Sequence, residues 1–168
     1  MESGLGTLTS PSRHVRRASL RTEAAERVAH EKYWAGQLDI QREIVTAWLT
    51  WAEGKKKEAL RQMRCVTDHE DATAKHSVTP GIILPARELL GEMLLESKQP
   101  TQALVAFEAS LRAAPNRFNA LSGAARSAQL SGNREKSKSY YARLLAICDH
   151  ADGDRPELQD ARTYLAKR

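Results

Sequence analysis

The chain has 168 residues, of which 41% are hydrophobic and 28% charged. That is enough apolar material for one packed domain or a short repeat array, and it is not the composition of a disordered chain. Aromatics are only 5% while Ala and Leu dominate, so the residues are those that lose least entropy in a helix and the fold class expected is all-α. No apolar run approaches the roughly 18 residues of a membrane-spanning helix. The formal charge of +5 is spread over both halves rather than gathered on one face, which argues against a nucleic-acid partner. Lys55, Lys56 and Lys57 form the one long basic run beyond the N-terminal stretch and read as a solvated turn.

In chain order, residues 1–12 are rich in Gly, Ser and Thr without periodicity and are expected to form a disordered tail. The basic stretch Arg13-His14-Val15-Arg16-Arg17 is followed by no long apolar segment, which argues against a secretory signal. Arg16-Arg17-Ala18-Ser19-Leu20 has the pattern of a basophilic kinase site but reads first as a charged helix start. Residues 13–39 are assigned to an N-terminal helix, with helix formers from Ser19 to Ala35 and a break predicted at Gly36.

Ile40, Ile44, Ala47, Trp48 and Trp51 then recur at three- and four-residue steps up to Gly54, and Ala59, Leu60, Met63 and Val66 mark a second face. Residues 74–83, with Thr79-Pro80-Gly81, are expected to be an interrupting loop. Four further helices are predicted over 85–97, 100–114, 117–131 and 134–148, each break carrying Pro, Gly or Asn. Pro156 opens a last helix in its first turn, with Asp154 as the expected cap, within a C-terminal capping segment 152–168.

Self-comparison reveals a period. A shift of 34 residues places Gly91 on Ala125, Ala103 on Ser137, Phe107 on Tyr141 and Leu111 on Leu145. A backward shift of 44 places Gly91 on Ala47, Ala103 on Ala59 and Phe107 on Met63, the extra ten residues being the 75–84 insertion. Three helical hairpins of one pattern follow, at 40–73, 84–117 and 118–151. A small residue on each helix lets the two approach closely, and a bulky residue one turn later fills the space between hairpins. One such hairpin cannot bury its apolar face alone, so neighbours stack into a solenoid.

This pattern resembles the tetratricopeptide repeat, most strongly in Leu89-Leu90-Gly91, Ala103, Phe107 and Pro115. Residues 118–151 match through Ala125, Gly132, Ser137 and Tyr140-Tyr141, with Asp149 in place of the expected Pro; residues 40–73 are a degenerate copy. Segments such as YWAGQLDIQRE, AWLTWAEG and LPARELLGEMLLE look like the C-terminal part of larger uncharacterised bacterial proteins with these repeats, over about residues 33–166. Those proteins carry more helices upstream, so the resemblance implies a shortened or separately encoded end. It also implies a right-handed solenoid, protein–protein binding, no known reaction and no cofactor.

The resemblance further implies that the first helix of each hairpin lines a concave groove. Carried over by position, the groove residues are Gln41, Ile44, Trp48 and Trp51; then Glu88, Glu92, Leu95 and Glu96; then Asn119, Ser122, Arg126 and Gln129. Trp48 and Trp51 have the alternative of packing on the N-terminal helix. Glu88 and Glu92 would repel the C-terminal carboxylate that some members of the family clamp, so an extended peptide or helix with basic and apolar residues fits better.

Competing chemistry is sparse. His69, Glu70, Asp71, Lys75 and His76 form the one cluster suggestive of a metal or small ligand, but the HExxH spacing is absent because Thr73 stands four after His69. Loop capping and salt bridges are the alternative. No GxSxG or Gly-rich phosphate loop is present, so the expectation is a non-enzymatic binding module without a metal. Cys65 and Cys148 lack CxxC spacing and are expected to be reduced structural thiols of a cytoplasmic protein. Leu158, Ala161 and Leu165 are expected to face inward as a C-terminal cap. Ala24, Ala25, Val28 and Tyr33 should cover the other end less fully, leaving the first hairpin open to self-association.

Overall fold

The computed structural model describes residues 13–73, 82–151 and 155–167. The expected 1–12 tail, the Thr79-Pro80-Gly81 turn, Lys75, His76 and the Asp154 cap lie outside the described residues. The helices are α1 (Arg13–Ala52), α2 (Lys56–Ala72), α3 (Ala86–Glu96), α4 (Pro100–Ala113), α5 (Phe118–Leu130), α6 (Arg134–Ile147) and α7 (Pro156–Ala166). Gly36 does not break α1 as predicted. A lone helical glycine costs about 1 kcal/mol against Ala, and Ala35, Gln37 and Leu38 beside it offer no turn chemistry with which to stop.

The chain divides into a unit ending at Asp39 and a unit beginning at Ile40. Within the first, the Trp34 indole donates to His30 Nε2 at 2.8 Å and packs edge-on against Tyr33. Ala24, Ala25 and Val28 are exposed there.

In the second unit each helix from α2 to α7 packs on the next, and α3 also touches α5. The core runs through Ile40, Ile44, Ala47 and Trp51 of α1 and continues through α2 to α7. The small positions of the repeat, Ala47, Gly91 and Ala125 with Ala59, Ala103 and Ser137, are all buried, and so are Met63, Phe107 and Tyr141. In α7, Leu158 and Ala161 are buried, Leu165 is half-buried, and the Tyr164 ring lies 4.9 Å from that of Tyr141. On the other side of the hairpins, Lys136 and Tyr140 of α6 both donate to Glu108 of α4; burial and that carboxylate push the Tyr140 hydroxyl up to about 12.

The turns within the three hairpins are copies of one another. The N–H groups of Lys55, Gln99 and Asn133 reach back to the carbonyls of Thr50, Leu94 and Ala128, while those of Gly54, Lys98 and Gly132 reach Trp51, Leu95 and Gln129. This is a double hydrogen-bonded helix stop whose penultimate residue must adopt left-handed backbone. Gly54 and Gly132 do so at φ +82° and +80°, but the middle hairpin places Lys98 there at φ 56°. Because a side chain crowds its own carbonyl in that conformation, Lys98→Gly is expected to stabilise the protein by about 1 kcal/mol. Urea denaturation checks this, and an unchanged or lower midpoint would contradict it.

Candidate partner-binding face

The first helices of the hairpins, the 40–52 part of α1, α3 and α5, supply one face. α3 touches α5 directly, and the Trp51 indole of α1 donates to Glu96 Oε2 of α3 at 3.2 Å. Of the residues expected on this face, Gln41, Glu92, Glu96, Asn119, Arg126 and Gln129 are exposed, and Trp48, Leu95 and Ser122 are half-buried. Gln129 is exposed yet held, its Oε1 accepting from the Tyr141 hydroxyl at 2.9 Å.

Three expected groove residues are buried instead: Ile44, Trp51 and Glu88. Ile44 and Trp51 belong to the core stripe of α1, and Lys56 stands over the Trp51 ring at 5.0 Å. Glu88 has no solvent exposure because Ser110 of α4 and Arg117, at the start of α5, close over the first turn of α3. The Ser110 hydroxyl donates to Glu88 Oε1 at 2.9 Å, and the Arg117 guanidinium pairs with the same carboxylate. Arg117 also donates to the carbonyls of Ile82 and Ile83, at 3.1 and 2.7 Å. Sequence reasoning did not single out Arg117.

Glu92 and Arg126 differ from their neighbours. Neither makes a hydrogen bond or ion pair with a described residue. The Glu92 side chain is exposed overall, yet partial loss of solvent at its carboxyl raises the pKa, and the charges of Glu88 and Glu96 raise it further. Folding therefore disfavours the ionised form, and this handicap disappears as the pH falls through the raised pKa. Glu92→Gln is expected to raise the thermal midpoint at neutral pH and to make no difference near about pH 3. A variant that gained nothing at neutral pH would contradict the assignment.

The 70–76 cluster reads differently. Both oxygens of Glu70, itself buried, accept from the Ala86 N–H at 3.2 Å, holding a carboxylate at the N-terminus of α3. Asp71 pairs with Arg87 and raises its pKa. His69 meets Glu43 of α1 at 3.0 Å. These are capping and salt-bridge roles, and no group of three or more metal-ligating side chains occurs among the described residues. Cys65 and Cys148 are free; Cys65 is exposed on α2 rather than packed as a structural thiol, and Cys148 is half-buried. Among the described residues no helix is long and apolar enough to cross a membrane.

Stacked helical hairpins define a helical-repeat solenoid, and its fold is tetratricopeptide-like. PcrH from Pseudomonas aeruginosa is similar at a TM-score of 0.58 and 12% identity, over 96% of each chain. The TPR domain of P58(IPK) is similar at 0.54 and 19% identity, over 84% of this chain and 38% of that one. No protein-family model matches the sequence, and no curated protein does.

Proposed function

We propose that the chain is a non-enzymatic binding module that takes a peptide or helix of a partner protein along the face formed by the 40–52 part of α1, α3 and α5. The observation carrying this is that Glu92 and Arg126 stand on that face without a hydrogen bond or ion pair among the described residues, while Glu88 and Glu96 beside Glu92 are engaged. Two free cysteines fit a reducing, cytoplasmic setting. Affinity capture from the native lysate, with Glu92→Lys combined with Arg126→Glu run alongside, tests the reading. A protein retained by the wild type and lost by the variant is the expected outcome. Equal recovery by both would move binding off this face.

A second reading has its own support. Val45 and Leu49 of the first hairpin are 56% and 60% exposed, an apolar surface that self-association would cover. Sedimentation at increasing concentration tests it, and a strict monomer throughout would refute it.

A further inference from the structure

Glu92 and Arg126 are separated by the 34-residue repeat, and Trp48 precedes Glu92 by the 44-residue shift that includes the insertion. They therefore occupy one register position in three successive hairpins. Trp48 is half-buried and packs edge-on against Trp51, with ring centroids 6.4 Å apart, leaving part of its own ring on the face. Aromatic and Arg side chains at such positions bury large areas and offer directed bonds, which is why they dominate binding energetics.

Their neighbours sharpen the contrast. Glu88 is paired with Arg117, Glu96 accepts from Trp51, and Gln129 accepts from Tyr141. The row thus presents an indole, a carboxylate and a guanidinium in that order along the stack, the two charges unpaired among the described residues. A cation placed on Glu92 would also relieve its repulsion from Glu88 and Glu96, whose effect is already visible in the raised pKa.

Building on the partner-binding face proposed above, we infer that the Trp48–Glu92–Arg126 row selects a protein segment in which a cationic side chain stands between an apolar one and an anionic one. The central place of the cation holds whichever way the segment runs. α3 and α5 touch, and packed helices lie about 8–10 Å apart, so the step from Glu92 to Arg126 is about that long. An extended polyproline-type segment covers it in about three residues, returning each third side chain to one side. A helix covers it in about seven, two turns.

The test uses synthetic peptides and the full chain, read by fluorescence anisotropy. One set carries Leu, Lys and Asp three apart in a Pro-rich background, the other seven apart in an Ala-rich helical one; control peptides exchange Lys and Asp. The wild type is expected to prefer the Lys-centred order about tenfold or more in one set, since like charges brought together across an interface are strongly disfavoured. Glu92→Lys with Arg126→Glu is expected to invert that preference, with circular dichroism confirming the fold. Equal binding of both orders, or an unaltered preference in the variant, overturns the inference; if Trp48→Ala still abolishes that binding, the partner-binding face survives without the charge order. No binding of any peptide overturns both.

Discussion

Gly123→Ala and Gly91→Ala are each expected to destabilise the protein, although Ala is the better helix former. A Cβ built on Gly123 would lie 2.3 Å from the Phe107 ring, and one on Gly91 would lie 2.6 Å from it. Phe107 belongs to α4 and is 1% exposed. Its ring is therefore held between α3 of its own hairpin and α5 of the next, and retreat from either glycine drives it towards the other. Crowding a packed core by one methyl costs about 1–3 kcal/mol, more than the roughly 1 kcal/mol of helix propensity gained. In a chain of this size the thermal midpoint should fall by about 2–4 °C per kcal/mol. Gly36→Ala serves as the control, because nothing lies within 4 Å of the added carbon there, and it should lose nothing. Phe107→Leu introduced with Gly123→Ala should recover part of the loss, a non-additivity that a double-mutant cycle resolves. If Gly123→Ala proved neutral or stabilising, the ring would have room that this packing denies it.

The two glycines also show where the sequence was legible. Gly91 was readable because its counterparts Ala47 and Ala125 are small, so the period itself marked a close approach. The counterparts of Gly123 are Leu89 and Val45, one repeat and two repeats back, and no small-residue match draws attention to it. The helices from α2 to α7 were legible because Pro, Gly and Asn punctuate them. Gly36 carries the same residue type without a reversing partner, so composition alone overstated it. Lys98 hid a left-handed turn position that only comparison with Gly54 and Gly132 exposes.

Charge on the candidate face divides the same way. Glu88, Glu92 and Glu96 read alike at four-residue spacing, as an acidic stretch of the groove. Their different fates depend on groups 22 and 29 residues from Glu88, the Ser110 hydroxyl and the Arg117 guanidinium. Local spacing places a side chain on a helix face, but only the stacking of the next hairpin decides whether that turn is covered. The sequence leaves Trp51 between the groove and the N-terminal helix; it lies in the core stripe, and its partner Glu96 stands 45 residues away. The repeat period alone puts Glu92 and Arg126 in one register, but not their exposure, since the same shift pairs buried Glu88 with half-buried Ser122.

Arg117→Met should be among the most damaging single substitutions in the second unit. It would leave the Glu88 carboxylate, which has no solvent exposure, without its counter-charge. Removing one partner of a buried ion pair costs about 3–5 kcal/mol, because the remaining charge can neither be hydrated nor paired. The same change frees the Ile82 and Ile83 carbonyls that the guanidinium holds, so the chain entering α3 loses its tie to α5. Glu88→Gln is expected to be milder, since the amide oxygen still accepts from Ser110 and no uncompensated carboxylate remains. Combining Glu88→Leu with Arg117→Met should restore much of the loss, as replacing both partners of a buried pair with apolar groups is often close to neutral. The Ser110 hydroxyl would then lack its acceptor at a cost of about 1–3 kcal/mol, which Ser110→Ala in the same background should remove. Urea denaturation of the four variants measures these differences directly. An Arg117→Met protein within about 0.5 kcal/mol of wild type, the range of ordinary surface substitutions, would mean that Glu88 is not held by this pair. Because Glu88 lies one helical turn before Glu92, the pair also fixes the turn of α3 from which the row of exposed side chains begins, so loss of Arg117 should weaken peptide binding along with stability, whereas the Leu–Met combination should recover both together.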